Sequence, residues 1–312
     1  MSQNKKMGIT LEKKPWLILV GPTAVGKTAI AEQIAWALGT DIIVADSRQV
    51  YQGMDIATNK PNAAALQKIK RHLINLIPPD IVFSAGAYKR ATESVIATLG
   101  KEGKPILIEG GTGLYIKALL YGLAPPRPLR GGAGGPATPD DLSPWERLEK
   151  VDPVSAQKIH FRDLQRIGRA LNVYDQTGQP LSSFHAQHRF QTDPIPSFVM
   201  MGLRRERAAL YRRIEERVDQ QFQEGLLEET RRFMEMSSVL PSMRALGYKQ
   251  VIPYLQGTRT LDEAISLVKR DTRHYAKRQM TWFSADKNIR WIDLEEGESP
   301  EETALRIQGL LV

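Results

Sequence analysis

The sequence contains no cysteine, and this absence removes several kinds of chemistry at once. Thiol nucleophiles, thiolate zinc sites and structural disulfides are excluded, because each needs a sulfhydryl side chain. A chain without cysteine also suits a reducing compartment. With 312 residues, the chain is long enough for roughly two domains and can bury a core without such cross-links.

Long apolar runs are missing as well. No run approaches the roughly 18 residues that a membrane-spanning helix requires. The opening residues, Met1 to Lys14, are polar and basic, and the apolar stretch Trp16–Val20 is too short for a signal-peptide core. Hydrophobic residues make up 42% and charged residues 25%, which is ordinary for a globular protein. We therefore expect a cytoplasmic protein without a membrane partner.

Acidic residues are outnumbered by basic ones, 35 against 43, which gives a net charge of +8. Such a balance favours a polyanionic partner. The basic residues cluster in two stretches that are each predicted to be helical: Arg204, Arg205, Arg207, Arg212, Arg213 and Arg217, and then Lys269, Arg270, Arg273, Lys277 and Arg278. Each cluster taken alone also fits a solvated helix face, so the charge by itself does not identify a nucleic acid.

The first third of the chain alternates short apolar runs with helical patterns, which is typical of βαβ units around a parallel sheet. The strands are predicted at Trp16–Val20, Asp41–Ala45 and Lys104–Glu109, and the helices at Lys27–Leu38 and Ala87–Leu99. Each strand ends in a polar or glycine-rich turn. Because open α/β sheets bind ligands at the carboxyl ends of their strands, these turns predict one functional edge.

A change of composition divides the chain. Residues 123–141 are rich in Pro and Gly and predict a mobile loop. Ser143 to Tyr174 returns to helical spacing, and Thr177 to Pro196 is again turn-rich. We interpret residues 125–194 as a small, mostly helical insertion in an α/β core of residues 1–124 and 195–312. In the second part of that core, a strand from Phe198, several long helices and a short strand near Trp291 are predicted.

The segment after the first strand fits a phosphate-binding P-loop, and a strand before it and a helix after it supply the required context. It comprises Gly21, Pro22, Thr23, Ala24, Val25, Gly26, Lys27 and Thr28. The glycines let backbone amides converge on phosphate oxygens, Lys27 supplies a full charge, and the Thr28 hydroxyl can ligate Mg²⁺. The sequence therefore predicts a P-loop NTPase-like fold that binds a di- or triphosphate.

Asp46 directly follows the second predicted strand, at the same edge of the sheet. A carboxylate there has three roles open to it: organising a metal ion, acting as a general base, or capping the N-terminus of the next segment. Position alone does not separate these roles.

Several motifs, taken in order, carry a resemblance to a known family. Besides the P-loop they are Asp46-Ser-Arg-Gln-Val-Tyr51, Gly53-Met-Asp-Ile56, Lys60-Pro61, His72-Leu73, Phe83-Ser-Ala-Gly86, Gly110-Gly-Thr-Gly-Leu-Tyr115, Val151-Asp-Pro153, Arg166 to Arg169, Leu246-Gly-Tyr-Lys249 and Tyr275-Ala-Lys-Arg-Gln-Met-Thr-Trp282. With them the chain resembles the tRNA dimethylallyltransferase (tRNA isopentenyltransferase) family over most of residues 15–285. The chain looks like the bacterial form, because the cysteine-histidine zinc finger of many eukaryotic relatives is impossible here.

The resemblance implies a reaction and a set of catalytic roles. A dimethylallyl group passes from dimethylallyl diphosphate to N6 of adenosine 37, beside the anticodon of tRNA, and diphosphate is released. Asp46 would accept the proton from N6, while Thr23, Lys27 and Arg217 would act on the departing diphosphate together with the rest of the P-loop. Thr28 would ligate Mg²⁺, and the enzyme would act as a monomer.

The resemblance also implies contacts with the anticodon stem-loop, where the target adenine must be flipped into a pocket. These tRNA contacts fall on Asp46, Ser47, Arg48, Gln49, Thr112, Gln165, Arg166, Ile167, Gly168, Arg169, Arg244, Gly247, Tyr248, Lys249, Lys277, Arg278, Gln279, Thr281 and Trp282. The chain departs from the family pattern at Gly131–Pro136, at Phe161-Arg162 and at Ser284.

Three alternatives remain compatible with the residues alone. A nucleoside or nucleotide kinase would place its phosphates in the same P-loop. An enzyme that prenylates free adenine nucleotides would not need the basic helices. A non-catalytic RNA-binding module would have no use for Lys27 and Thr28.

Overall fold

The apolar runs predicted as strands form a parallel sheet in the computed structural model, which describes residues 15–123, 142–187, 197–236 and 240–310. The strands are β1 (Trp16–Val20), β2 (Ile42–Val44), β3 (Arg71–His72), β4 (Leu107–Gly110), β5 (Phe198–Arg204) and β6 (Ile289–Asp293). Their order is β3-β2-β4-β1-β5-β6, so the strand before the P-loop is central. The predicted α/β fold with a parallel sheet is confirmed.

Register aligns the carboxyl ends of the central strands. Leu19 of β1 lies opposite Glu109 of β4 and Met201 of β5, and Val44 of β2 also lies opposite Glu109. All these pairs are parallel, so the loops after β1, β2 and β4 leave the sheet at the same edge. The structure thus confirms that the three strand ends meet at one edge of the sheet, and the function of that edge stays a prediction at this point.

Helices surround the sheet and supply its hydrophobic core. They are α1 (Lys27–Leu38), α2 (Ala63–Lys68), α3 (Ala85–Lys101), α4 (Gly113–Tyr121), α9 (Arg207–Gln223), α10 (Leu226–Met236), α11 (Tyr248–Leu255), α12 (Leu261–Ser284) and α13 (Pro300–Gly309). α1 contacts β4 on one side and α13 on another. Its Ile30 and Ile34 are buried against Leu107 and Leu203 of the sheet. This packing anchors the helix whose first turn completes the P-loop.

Local sequence signals set the ends of several helices. α1 ends at Gly39, whose φ of 62° is a left-handed conformation that glycine adopts without strain. α12 begins with a capping box, in which Thr260 accepts from the Glu263 amide and Glu263 accepts from the Thr260 amide. These caps position two of the helices that border the functional edge.

The insertion forms a second compact unit, residues 121–194, while residues 1–120 and 195–312 form the first. Its helices are α5 (Pro144–Val151), α6 (Pro153–Ala156), α7 (Leu164–Thr177) and α8 (Leu181–Gln187). Leu148, Ile167 and Leu171 lie in its small apolar core. The Pro/Gly-rich segment, from residue 124 to residue 141, lies outside the described residues, so its expected mobility stays a prediction.

Helix α8 corrects one expectation, since its residues fall in a stretch predicted to be turn-rich. The buried Asp152 carboxylate accepts the Ser182 amide at 2.9 Å in the first turn of this helix. A contact with a residue 30 positions earlier is invisible to local turn statistics. The remainder of the turn-rich stretch, residues 188–196, lies outside the described residues.

The first basic cluster was also misplaced in part. Arg204 ends β5 and Arg205 lies in the following turn, so neither belongs to a helix. α9 starts at Arg207, because the Glu206 carboxylate caps it by accepting the Ala209 amide at 2.9 Å. β3 and α2 were not predicted; each is short, and the two residues of β3 are both polar. No helix in the described ranges is long and apolar enough to span a membrane.

Candidate active site

The P-loop has a backbone that only small residues tolerate. Gly21 and Gly26 have φ values of 149° and 113°, and Ala24 lies at 64°. A Cβ on Gly21 would come within 2.7 Å of the Leu203 carbonyl oxygen on β5. The loop therefore passes close to the neighbouring strand, and glycine is required there on both steric and conformational grounds.

Lys27 lies beneath this loop with its ammonium group turned toward the backbone. Its Nζ donates to the carbonyls of Gly21 at 2.9 Å and Pro22 at 2.8 Å. Burial lowers the pKa of Lys27 to about 8; the nearby carboxylates of Glu109 and Asp46 act in the opposite direction. An anion arriving in the loop would favour the charged form of this lysine.

Two arginines of the first basic cluster hold the outer side of the loop. The Nε of Arg205 donates to the Val25 carbonyl, and the Nε of Arg213 donates to the Ala24 carbonyl, each at 3.0 Å. Other cations in the two clusters form ion pairs: Arg204 with Asp293, Arg212 with Glu296, Lys269 with Asp219, Arg270 with Asp271 and Arg273 with Glu215. Many basic side chains of the two clusters therefore stabilise the fold through hydrogen bonds and ion pairs, a role that the amino-acid composition did not indicate.

Gln279 of α12 joins two of the strand ends. Its Oε1 accepts the Thr23 amide at 2.8 Å, and its Nε2 donates to the Gly111 carbonyl at 3.0 Å. The third strand end is tied in by Thr112, whose hydroxyl accepts the Ser47 amide at 3.0 Å. The loops after β1, β2 and β4 are therefore locked to one another.

Asp46 uses its two carboxylate oxygens differently. Oδ1 accepts the amides of Arg48 at 2.7 Å and Gln49 at 3.4 Å, so one of its roles is to cap the following turns. Oδ2 accepts no hydrogen bond within the described part of the chain. One oxygen thus fixes the carboxylate in place, while the second has no partner among the described residues.

A cavity of about 330 Å³ opens at this edge, and it brings together residues that are far apart in the sequence. Its lining residues are Thr23, Asp46, Ser47, Arg48, Ala57, Thr58, Asn59, Arg217, Val218, Gln221, Arg244, Ala245, Leu246, Gly247, Lys249, Val268, Thr272, Tyr275 and Arg278. Five are cationic and one, Asp46, is anionic, so the cavity favours a negatively charged ligand.

Arg217 is the cation most suited to an anion inside this cavity. Its side chain is half-buried, and burial lowers its pKa, as does the charge of Arg213. Among the described residues, none accepts a hydrogen bond from it. A desolvated and unpaired guanidinium is a strong binding group for phosphate oxygens.

Several residues predicted to contact tRNA are placed where they can do so. Arg48, Arg244, Lys249 and Arg278 are exposed and line the cavity, together with Asp46, Ser47 and Gly247. Lys277 and Thr281 are exposed on α12, and Thr112 is half-buried. Trp282 is 43% exposed and packs on Gly113, with the Lys117 ammonium 5.2 Å from the ring centre.

Three other residues predicted to contact tRNA have side chains that are buried and hydrogen-bonded within the protein, so a tRNA contact at these positions stays a prediction. Tyr248 is fully buried, and its hydroxyl donates to the Glu229 carboxylate at 2.6 Å. Gln279 bridges Thr23 and Gly111, as described above. The amide group of Gln49 donates to the carbonyls of Thr58 and Asn59 at 3.2 and 3.4 Å.

In the smaller unit the predicted tRNA contacts fall on α7. Gln165, Arg166, Gly168 and Arg169 are exposed. The side chain of Ile167 is fully buried in the core of this unit, so a tRNA contact at this position would involve its backbone and stays a prediction. An apolar residue at this spacing on an amphipathic helix packs inward.

Two buried carboxylates at this edge were not predicted from the sequence. Glu109 at the end of β4 accepts from Arg71 at 3.1 Å, and its Oε2 is buried without a partner in the described structure. Glu229 of α10 accepts the amides of Asp55 and Ile56 at 2.8 Å and of Ala57 at 3.1 Å. Glu109 ends an apolar run, which was a usable signal, whereas nothing local marks Glu229.

Tyr275 is a further cavity residue that was not assigned a role, although it lies in a recognised motif. Burial raises the pKa of its hydroxyl, and the charge of Asp46 raises it further. The hydroxyl therefore remains protonated beside the carboxylate.

Comparison with known proteins identifies the family of this chain. The family model described as IPP transferase matches residues 49–286. The chain belongs to the IPP transferase family.

Its relatives include "tRNA dimethylallyltransferase 2" of Geotalea uraniireducens, which is 43% identical over 91% of this chain and 94% of its own length. The tRNA dimethylallyltransferase of Geobacter sulfurreducens is also 43% identical, over 90% of this chain and 92% of its own. Membership of the IPP transferase family sets aside the kinase and the non-catalytic RNA-binding module.

The fold is matched among solved structures of the family. The tRNA isopentenylpyrophosphate transferase of Staphylococcus epidermidis superposes with a TM-score of 0.70 at 33% identity, covering 96% of this chain and 99% of its own. A eukaryotic dimethylallyltransferase described as acting on tRNA gives a TM-score of 0.74 at 24% identity, over 90% of this chain and 74% of its own, which shows the shared fold.

Proposed function

We propose that this IPP transferase moves a dimethylallyl group from dimethylallyl diphosphate to N6 of adenosine 37, in the anticodon stem-loop of tRNA. Its relatives are named for dimethylallyl transfer to tRNA. The observation that carries the proposal is the cavity in which Thr23 of the P-loop, Asp46 and Arg217 meet. We propose a monomer as the working unit.

The diphosphate group would lie on the P-loop, where backbone amides at the start of α1 and the Lys27 ammonium face anionic oxygens. Arg217 and the Thr23 hydroxyl would approach the same group from the cavity side. In the reaction, the C–O bond between the allylic carbon and the diphosphate breaks, and negative charge accumulates on the leaving oxygens. Cations that are already desolvated and oriented stabilise that charge without reorganisation.

The acceptor nitrogen N6 is a weak nucleophile, because its lone pair is conjugated with the purine ring. As N6 forms its bond to the allylic carbon, it loses a proton, and the free Oδ2 of Asp46 would accept that proton. The amides of Arg48 and Gln49 keep the carboxylate oriented through Oδ1. The products of the step are prenylated adenine, diphosphate and a protonated Asp46, which then returns its proton to solvent.

The residues present fit a Mg²⁺ ion bound together with the substrate. The described residues contain no group of three or more His, Cys, Asp or Glu side chains that could coordinate a metal ion by themselves. Mg²⁺ commonly takes one or two protein oxygens and completes its shell with phosphate oxygens and water. The Thr28 hydroxyl, which has no partner in the described structure, would hold it. When bound, the ion would neutralise charge on the departing diphosphate.

Mass spectrometry of tRNA nucleosides tests the proposal directly. Incubation of tRNA with the protein, dimethylallyl diphosphate and Mg²⁺ should yield an isopentenylated adenosine at position 37. Free adenine nucleotides run in parallel should remain unmodified. Modification of free nucleotides but not tRNA would contradict the assignment of the acceptor.

A further inference from the structure

We propose that Asn59 recognises the acceptor nucleobase by pairing its carboxamide with the purine edge that carries N6. This inference rests on the function proposed above, because it takes the acceptor to be adenine. The residue lines the same cavity as Asp46, from the turn that follows the segment held by Glu229.

The carboxamide of Asn59 is available for a ligand. Its backbone carbonyl accepts from Gln49 at 3.4 Å, and its amide donates to the Ile56 carbonyl at 3.1 Å. The side chain has no hydrogen-bond partner among the residues described. Its neighbour Thr58 differs, because its hydroxyl is already used in a bond to the Met54 carbonyl at 2.5 Å.

The chemistry of a carboxamide fits adenine better than it fits phosphate. One end of the group donates a hydrogen bond and the other accepts one, side by side. Adenine presents the same pair in reverse: the N6 amino group donates, and the ring nitrogen on either side of it, N1 or N7, accepts. The cavity binds anions through its cations, so a neutral side chain with both functions is suited to the base.

The backbone around Asn59 is held firmly enough to make such a contact selective. Glu229 binds the amides of residues 55, 56 and 57, and Gln221 donates to the carbonyls of Ile56 at 2.9 Å and Ala57 at 3.2 Å. Gln49 holds the next two carbonyls. Asn59 itself has a φ of 51°, a left-handed conformation that asparagine tolerates better than most residues. A group presented by a fixed backbone loses little freedom on binding.

The test compares variants on chemically edited RNA. Asn59→Gly removes the carboxamide and keeps the left-handed backbone unstrained, so it should fold. Asn75→Gly controls for the backbone change, since Asn75 also has a φ of 51° but lies outside the cavity lining. Its carboxamide accepts from the Lys60 ammonium, so the stability of both variants is measured alongside their activity. The substrates are anticodon stem-loops that carry adenosine, 1-deazaadenosine or 7-deazaadenosine at the target position.

With adenosine, we expect Asn59→Gly to lower kcat/KM for RNA by about 10- to 100-fold, which corresponds to one or two lost hydrogen bonds. Pyrophosphate affinity measured by calorimetry should not change. The wild type should discriminate against one of the two deaza substrates by about tenfold, and Asn59→Gly should lose that discrimination. Asn59→Asp, which keeps the acceptor and loses the donor, should also be impaired.

A kcat/KM of Asn59→Gly equal to that of the wild type would overturn the inference, as would deaza penalties that persist unchanged in Asn59→Gly. A wild type that prenylates no stem-loop at all would instead refute the proposed function, so the two failures are distinguishable.

Discussion

Glu229 offers the sharpest test of how this site is built. Its carboxylate accepts four hydrogen bonds: the amides of Asp55, Ile56 and Ala57, and the hydroxyl of Tyr248. The residue is 5% exposed, and burial beside this carboxylate raises the pKa of the Tyr248 hydroxyl, which therefore stays a donor. The three amides belong to residues 55–57, which lead directly into Thr58 and Asn59. Ala57, Thr58 and Asn59 line the cavity, and we call them the cavity wall.

Glu229→Gln keeps the shape of the side chain and replaces one acceptor oxygen by a donor. Two of the four donors then lose their acceptor, and the remaining bonds lose their charge assistance. Bonds to charged groups contribute roughly 1.5–3 kcal/mol each, and half-buried amides recover part of this from water, so we expect the free energy of unfolding to fall by about 2–4 kcal/mol. Because whole domains have about 5–15 kcal/mol, the variant should remain folded.

The catalytic consequence should be selective. A displacement of the wall by about 1 Å is expected to lower kcat/KM for tRNA by roughly 10- to 100-fold. Diphosphate affinity should be preserved, because no hydrogen bond of Glu229 reaches the P-loop. Urea unfolding gives the stability change, steady-state prenylation gives kcat/KM, and calorimetry with pyrophosphate gives the affinity.

The matched control is the adjacent Glu228→Gln. Glu228 is exposed and makes a single ion pair with Arg231 at 3.6 Å, a geometry that contributes at most a few tenths of a kcal/mol. If Glu229→Gln were as stable and as active as Glu228→Gln, the reasoning that places this carboxylate at the base of the cavity wall would be refuted.

Three further predictions concern other parts of the unit. Asp46→Asn keeps an oxygen for the capping amides and should lower single-turnover prenylation by about 10²- to 10⁴-fold with tRNA affinity retained; near-normal turnover would exclude it as the base. Lys27→Ala should weaken pyrophosphate binding by about 10- to 100-fold in calorimetry, and an unchanged affinity would remove it from the phosphate site. Desolvation raises the pKa of Asp41, but hydrogen bonds from His72 and Lys104 outweigh it and hold that pKa below its ordinary value. Its stabilisation is therefore present above about pH 4 and is lost as the pH falls through the lowered pKa, so the stability gap between wild type and Asp41→Asn should close in acid unfolding titrations.

Features that depend on near neighbours in the chain were predictable. The strand before the P-loop, the loop itself and the helix after it were correctly placed, because apolar runs and glycine spacing act over a few residues. Asp46 was placed at the right edge by the same logic. Among its three open roles, the structure shows the capping bonds at Oδ1, which a carboxylate so close to the amides of residues 48 and 49 could be expected to form.

Features that depend on distant partners were not predictable. The resemblance to the family implied an RNA contact at Tyr248, and the structure places its hydroxyl inside the protein on Glu229. Sequence spacing states which residues are polar, but it does not state whether a polar group finds its partner in solvent or in the core. The same limit applies to the internal hydrogen bonds of Gln279 and Gln49.

The sequence alone determined that a P-loop would lie at the carboxyl edge of a parallel sheet, since a P-loop requires only eight consecutive residues and their flanks. Tertiary structure decided which residues surround that loop. The wall with Asn59 is held by Glu229, whose bond to Asp55 spans 174 positions, and Thr23 is held by Gln279 across 256. Hydrogen bonds between such distant residues exist only once the helices have packed, and no local pattern encodes them.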